Sequence, residues 1–200
     1  MRKVAELLGI VNTNDYNTLL ETFVTEQYLW LVQGLKPHTV AFDIGGHCGD
    51  SSIYLAQHKD IDTVFAYDNN EEVFNRARPI LQVARAQVRE KITYSLAEIT
   101  NTAHAKSDFA AGEPKLSLKG LLEKEKKKII IKCDCEGAEH TIFNDDLEKG
   151  LRNVYRIQIE YHYGLKGLDK KLKDYGFKVE TENRLYDEKL KEVGWLYAWR

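Results

Sequence analysis

Three clusters of residues in this chain have the types and spacing for chemistry. The first is Asp43, Gly45, Gly46 and Gly49, inside VAFDIGGHCGDSSIYLA (40–56). Glycines are needed where a backbone turns sharply and a ligand approaches it with no Cβ in the way. An acid at the tip of the preceding strand could take a ligand's ammonium, directly or through water. A dinucleotide-binding turn has glycines at its first, third and sixth positions. Neither register fits: from Gly45 the later places hold His47 and Asp50, and from Gly46 they hold Cys48 and Ser51. Asp50 also puts a carboxylate at the helix start, where a pyrophosphate would sit. A ligand with an adenosine, a positive charge and no phosphate fits better, and S-adenosylmethionine is such a ligand.

The second cluster is Asp68-Asn69, which follows Gly45 by 23 residues. A carboxylate at that distance can accept two hydrogen bonds from the vicinal diol of a ribose. It can equally cap the next helix. The third cluster spans KCDCEGAEH (132–140) and IEYH (159–162). Strand alternation puts Lys132, Asp134 and Glu136 on one side and Cys133 and Cys135 on the other. Charges there are costly to bury unless paired or set at the C-terminal edge of a sheet, where α/β active sites lie. Glu160 and His162 share a face at the end of the next strand, and a histidine beside a carboxylate is a candidate general base. The C-x-C pair lacks a second pair at zinc-ligand spacing, so packed thiols are expected and no metal.

The elements that must position these residues follow from periodicity. An amphipathic helix is predicted over 16–35, then a strand over 39–44 and a helix over 50–58. A short strand over 63–67 leads into a helix over 71–88, which Pro79 should kink. A third strand covers 92–96. Residues 97–116 show no clear period and read as a loop or weakly helical flap. A helix over 116–125, a strand over 128–135, a helix over 138–147 and a strand over 155–161 follow. A helix over 168–175 precedes two closing strands, 177–180 and 195–199, joined as a hairpin through 183–194. Strands alternating with helices mean an α/β fold with a parallel sheet and right-handed crossovers.

Length and composition set the outer bounds. Two hundred residues suit one domain, 1–200, with residues 1–36 as a helical extension packed on it. Hydrophobic residues at 43% and charged residues at 30% are an ordinary soluble balance. The net charge of −2 speaks against nucleic acid as a partner. The run EKEKKK (123–128) has no interleaved aromatics and reads as a solvated helix end. Three cysteines, two alternating along one strand, suggest reduced thiols. No apolar run reaches the length of a signal peptide or a membrane span, so no membrane partner and a cytoplasmic location are expected.

Taken together, VAFDIGGHCGDSSIYLA, VFAYDNNEEVF, LSLKGLLEKE, IIIKCDCEGAEHTIF, IQIEYHYG, GFKVE and GWLYAWR resemble the FkbM family of S-adenosylmethionine-dependent methyltransferases over about residues 25–200. The resemblance implies a Rossmann-like class I methyltransferase fold, a seven-stranded sheet in the order 3-2-1-4-5-7-6 flanked by helices. It implies a cofactor site at Asp43, Gly45, Gly46, Gly49, Asp68 and Asn69, with adenine near Ala97 and Glu98 and Asp134 near the transferred methyl. Family members usually methylate hydroxyl oxygens, so the expected acceptor is a hydroxyl on a small molecule or glycan. Asp134, Glu160 and His162 would form the polar floor, with His162 or Asp134 as base. The sequence departs from the family at Gly46-His47-Cys48 and at Asp68-Asn69, where Glu-Pro is usual. Three other readings stay open: an RNA acceptor, a module that keeps the fold without catalysis, and an NAD oxidoreductase, which the glycine spacing disfavours.

Overall fold

The computed structural model describes residues 13–100, 114–143, 147–187 and 191–200. Helices α1 (Thr13–Phe23) and α2 (Leu29–Val32) come first, then strand β1 (Thr39–Ile44), α3 (Asp50–Gln57) and β2 (Ile61–Asp68). Next are α4 (Glu71–Val83), α5 (Ala86–Arg89), β3 (Ile92–Leu96), β4 (Glu98–Thr100), β5 (Lys115–Ser117) and α6 (Leu118–Lys124). The chain continues through β6 (Lys128–Asp134), α7 (Glu139–Ile142), a 3-10 turn at Gly150–Asn153, β7 (Val154–Tyr161) and α8 (Leu168–Asp174), and reaches β8 (Lys178–Asp187) and β9 (Lys191–Trp199).

Seven of these strands form one sheet in the order β3-β2-β1-β6-β7-β9-β8. Counting only strands of this sheet, that is the expected 3-2-1-4-5-7-6. Neighbours are parallel except β9, which runs antiparallel to both β7 and β8. Every residue of β1 is buried, as befits a central strand covered on both faces. The pleat divides the core accordingly. Phe42, Ile44, Ile129, Ile131, Ile157 and Ile159 pack on one face, while Ala41, Ile130, Leu31, Leu55 and Ala56 pack on the other. No helix among the described residues is long and apolar enough to cross a membrane.

Strands β1 and β3 fall on the predicted residues, because each is a short run rich in β-branched and aromatic residues between turns. The differences are local. The expected 16–35 helix is two helices, broken where Glu26 takes a left-handed backbone conformation with φ 51°. The expected 71–88 helix also divides, after Val83, where Ala84 becomes extended. Pro79, one turn earlier, cannot donate to the ladder, which weakens the helix just before that break. Within 97–116, β4 and β5 pair in parallel, and residues 101–113 lie outside the described residues. The helix expected over 138–147 is α7, only four residues long, and 144–146 lie outside the described residues. The closing hairpin is longer than predicted, with pairing out to Asp187 and Lys191. β8 is an edge strand with solvated positions, so most of its hydrophobic signal is missing from the sequence.

Candidate active site

The C-terminal ends of β1, β2, β6 and β7 open on a cavity of about 620 Å³. Its floor begins at the turn after β1. Gly45 has φ +75°, and a Cβ there would run into the Asp134 carbonyl. The amides of Gly45 and Gly46 both donate to the Tyr67 carbonyl, at 2.9 and 3.0 Å. A Cβ on Gly46 would lie 2.8 Å from the Tyr94 ring. Gly49, with φ +84°, starts α3 and faces Leu81. Gly45 lines the cavity, whereas Gly46 and Gly49 are packing positions that shape the loop from behind.

Asp43 differs most from expectation. It is 0% exposed and turns into the protein. Ser51 and Ser52 donate to its Oδ2 at 2.7 and 2.6 Å, and Lys132 Nζ lies 3.2 Å from Oδ1. The carboxylate is therefore absorbed by an internal network and does not reach a ligand's ammonium; a buried charge must be paired. Lys132 completes the network by donating to the Gly45 carbonyl at 2.5 Å. Burial works against the lysine's charge, but Asp43 and its other neighbours outweigh it and hold the pKa well above the ordinary value. Asp43 thus stiffens the glycine turn through Lys132.

Asp68 and Asn69 line the cavity at the end of β2. Asp68 Oδ2 accepts the His47 amide at 3.0 Å and Oδ1 accepts the Asn70 amide at 2.9 Å. A carboxylate has about four acceptor positions, so capacity for a diol remains. The helix-cap role belongs to Asn70, whose side chain accepts from the Val73 amide at 3.1 Å. Ala97 and Glu98 also line the cavity, with Glu98 held by Lys115 at 3.2 Å.

Asp134, Glu160 and His162 line the cavity as well, brought together by the β6–β7 register that pairs Asp134 with Glu160. Burial raises the pKa of Asp134, with Lys132 opposing. His162 is 4% exposed, and its Nδ1 lies 3.1 Å from Oε1 of Glu139. Burial disfavours the imidazolium, yet the Glu139 hydrogen bond and charge, then Asp134 and Glu160, raise its pKa above the usual histidine value.

Several lining residues lie where sequence patterns give no signal. Asn17, Thr18 and Glu21 from α1, and Gln27 and Tyr28 beyond it, roof the cavity. Thr22 makes a short hydrogen bond to Asp50, and Lys132 lies over the Tyr28 ring at 5.8 Å. His47 and Cys48 have related roles. His47 Nε2 is 3.6 Å from Asp15 of α1, whose carboxylate also holds Arg76 at 3.2 Å. Cys48 is buried and donates to Asp50 at 3.3 Å, and burial pushes its thiol pKa up. The candidate ligand atoms of Asp15, His47 and Cys48 lie within 4.8 Å of one another. Arg76 already neutralises Asp15, and the cluster ties α1 to the glycine loop. Cys133 and Cys135 are free thiols in contact at 3.8 Å.

No protein-family model matches the chain, and no curated protein matches it. Solved structures do match. An rRNA methylase from Streptococcus thermophilus aligns with TM-score 0.56 at 14% identity, covering 88% of this chain and 95% of that one. A proposed tRNA (m1A22) methyltransferase of Streptococcus pneumoniae, in complex with S-adenosyl-L-methionine, gives TM-score 0.55 at 18% identity over 87% and 72%. The precorrin-6y C5,15-methyltransferase of Geobacter metallireducens GS-15 gives 0.53 at 18% identity over 88% of each chain. The expectation that nucleic acid is an unlikely partner is overturned: proteins named as RNA methylases share this architecture. The net charge misled because it sums the whole surface, while binding depends on local contacts. Of what the FkbM resemblance implies, the class I methyltransferase fold is what these neighbours show. The chain has the fold of the class I S-adenosylmethionine-dependent methyltransferases.

Proposed function

We propose that this protein is an S-adenosylmethionine-dependent methyltransferase acting on a hydroxyl oxygen, with kinship to the FkbM family carried by KCDCEGAE and IEYH. The observation that carries the reading is Asp68 beside the Gly45 turn, half-buried, with acceptor capacity left over at the mouth of the cavity. The acidic lining, with Asp68, Asp134, Glu136 and Glu160, suits a cationic ligand without phosphate. Bound there, the cofactor would supply a methyl group on a positively charged sulfur, an electrophile that needs little activation.

The protein's share is then alignment, which contributes ~7–11 kcal/mol when a nucleophile is well placed. Gly45 would let the ligand approach the backbone, with Gly46 and Gly49 shaping the loop behind it and Asp43 bracing it through Lys132. Asp68 would hold the ribose, assisted by Asn69, and Ala97 and Glu98 would flank the adenine. Asp134 and Glu160 would border the reacting atoms, with His162 as the base that removes the acceptor's proton. The α1 residues Asn17, Thr18 and Glu21 would close the site from above. tRNA and rRNA belong in the first acceptor panel, since fold neighbours carry those names.

The test begins with S-adenosylmethionine and its demethylated product titrated against the protein, followed by melting temperature. Stabilisation by both is expected, and no shift with either at ligand well above micromolar sinks the reading. Transfer of a labelled methyl to an acceptor then separates an enzyme from a fold that binds without turnover.

A further inference from the structure

Glu139 is 0% exposed, and every polar atom of its carboxylate is engaged. It opens α7 just after a tight turn in which Glu136 and Gly137 have φ 48° and 113°. Oε2 accepts the Gly137 amide at 2.8 Å. Oε1 accepts the His162 amide at 2.7 Å and faces His162 Nδ1 at 3.1 Å. A helix-capping role accounts for the Gly137 bond but not for a ring nitrogen from the bend after β7. From the other side, His140 Nε2 sits 2.7 Å from the His162 carbonyl. The histidine is thus fixed at its backbone amide, its backbone carbonyl and one ring nitrogen.

We infer that Glu139 is a positioning residue that sets the tautomer of His162, so that Nδ1 carries the proton and Nε2 presents its lone pair to the acceptor. This rests on the proposed methyltransferase function. An ionised carboxylate can only accept hydrogen bonds, so the nitrogen facing it must be the donor. Burial alone would push the Glu139 carboxyl pKa up, but its hydrogen bonds from His162 and the backbone hold it below the usual value and keep it ionised. Among the described residues, no hydrogen bond falls on Nε2, and His162 lines the cavity. The arrangement follows the logic of a carboxylate that orients and supports a catalytic imidazole. The proton balance closes. With the cofactor bound, the acceptor's O–H proton would pass to Nε2, its oxygen would form the new bond to the methyl carbon, and the S–C electron pair would return to sulfur. The resulting imidazolium is stabilised by Glu139, with Asp134 of β6 and Glu160 of β7 also facing it.

The experiment is a pH titration of the ¹⁵N-labelled full chain, reading long-range proton–nitrogen correlations of the imidazoles, with His162 assigned by difference from His162→Gln. The expected result is a neutral ring protonated at Nδ1, and a His162 pKa that falls by about one unit or more in Glu139→Gln. A neutral ring protonated at Nε2, or a pKa unmoved by the substitution, overturns the inference. If Glu139→Gln does not fold, the tautomer of the unaltered protein decides alone. Calorimetry with S-adenosylmethionine on the same sample keeps the two claims apart. Absence of binding removes the proposed function and leaves the tautomer result standing.

Discussion

At Gly45 the glycine turn after β1 and the end of β6 touch with no space between them. Gly45→Ala combines a left-handed backbone with a collision against the Asp134 carbonyl. The expected destabilisation is about 2–5 kcal/mol, read by denaturant unfolding, with loss of cofactor binding. His162 gives a second prediction. Only the neutral imidazole accepts a proton, and its pKa is raised above 6.5. Single-turnover methyl transfer should therefore increase as pH rises through a value above 6.5, and His162→Ala should lower the plateau by roughly 10²–10⁴. A rate independent of pH from 5 to 9 would count against the base role. The same pair leaves a mark on stability. His162 contributes fully below its unfolded value of 6.5 and less as pH rises through the folded one. Glu139 contributes fully above 4.5 and less as pH falls through its lowered folded value. Both act together between 4.5 and 6.5, where Glu139→Gln should lower the melting temperature most. Of these residues, His162 and Gly45 were legible as cavity-lining positions from their types and neighbours. Asp43 was not, because a sequence does not say that Lys132 and two serines will converge on it. Glu139 was hidden for the same reason: its partner lies 23 residues away, on another element.

Among the elements, α1 roofs the cavity. It reaches the cavity with Asn17, Thr18 and Glu21 and is anchored through Thr22 to Asp50 and through Asp15 to Arg76 and His47. Thr22→Val keeps the shape but removes a donor from the buried Asp50 carboxylate, which should destabilise the protein by about 1–3 kcal/mol. Weaker cofactor binding should accompany it, measured by calorimetry, since the roof loosens. Unchanged affinity would separate α1 from the site. The helix itself was readable from its apolar spacing, but its break at Glu26 and its place over the sheet edge were not. Periodicity reports which face is buried, never against what. Residues 97–116 show the converse: three-residue strands such as β4 and β5 are too short to leave any period.

For the molecule as a whole, the measurable consequence of the proposed function is stabilisation by its ligand. At cofactor one hundred times its dissociation constant, folding gains ~2.7 kcal/mol, or about 5–10 °C for a chain of this size. The strand order was legible through the family resemblance, which carries a topology with it; alternation of strands and helices alone implied only a parallel sheet with right-handed crossovers and a closing hairpin. Net charge was a poor guide to partners, since it says nothing about where charges lie. The sheet's order also has a consequence in time. β8 is made before β9, yet it borders the sheet only through β9, which slots between it and β7. While the chain is being synthesised, β7 and β8 therefore wait with unpaired edges until residues 191–199 emerge. Trp195, fully buried in the finished protein, arrives with that last strand. The sheet closes only once β9 is in place, and a growing chain that stalls before it presents open edges on both β7 and β8 to the crowded space around the ribosome.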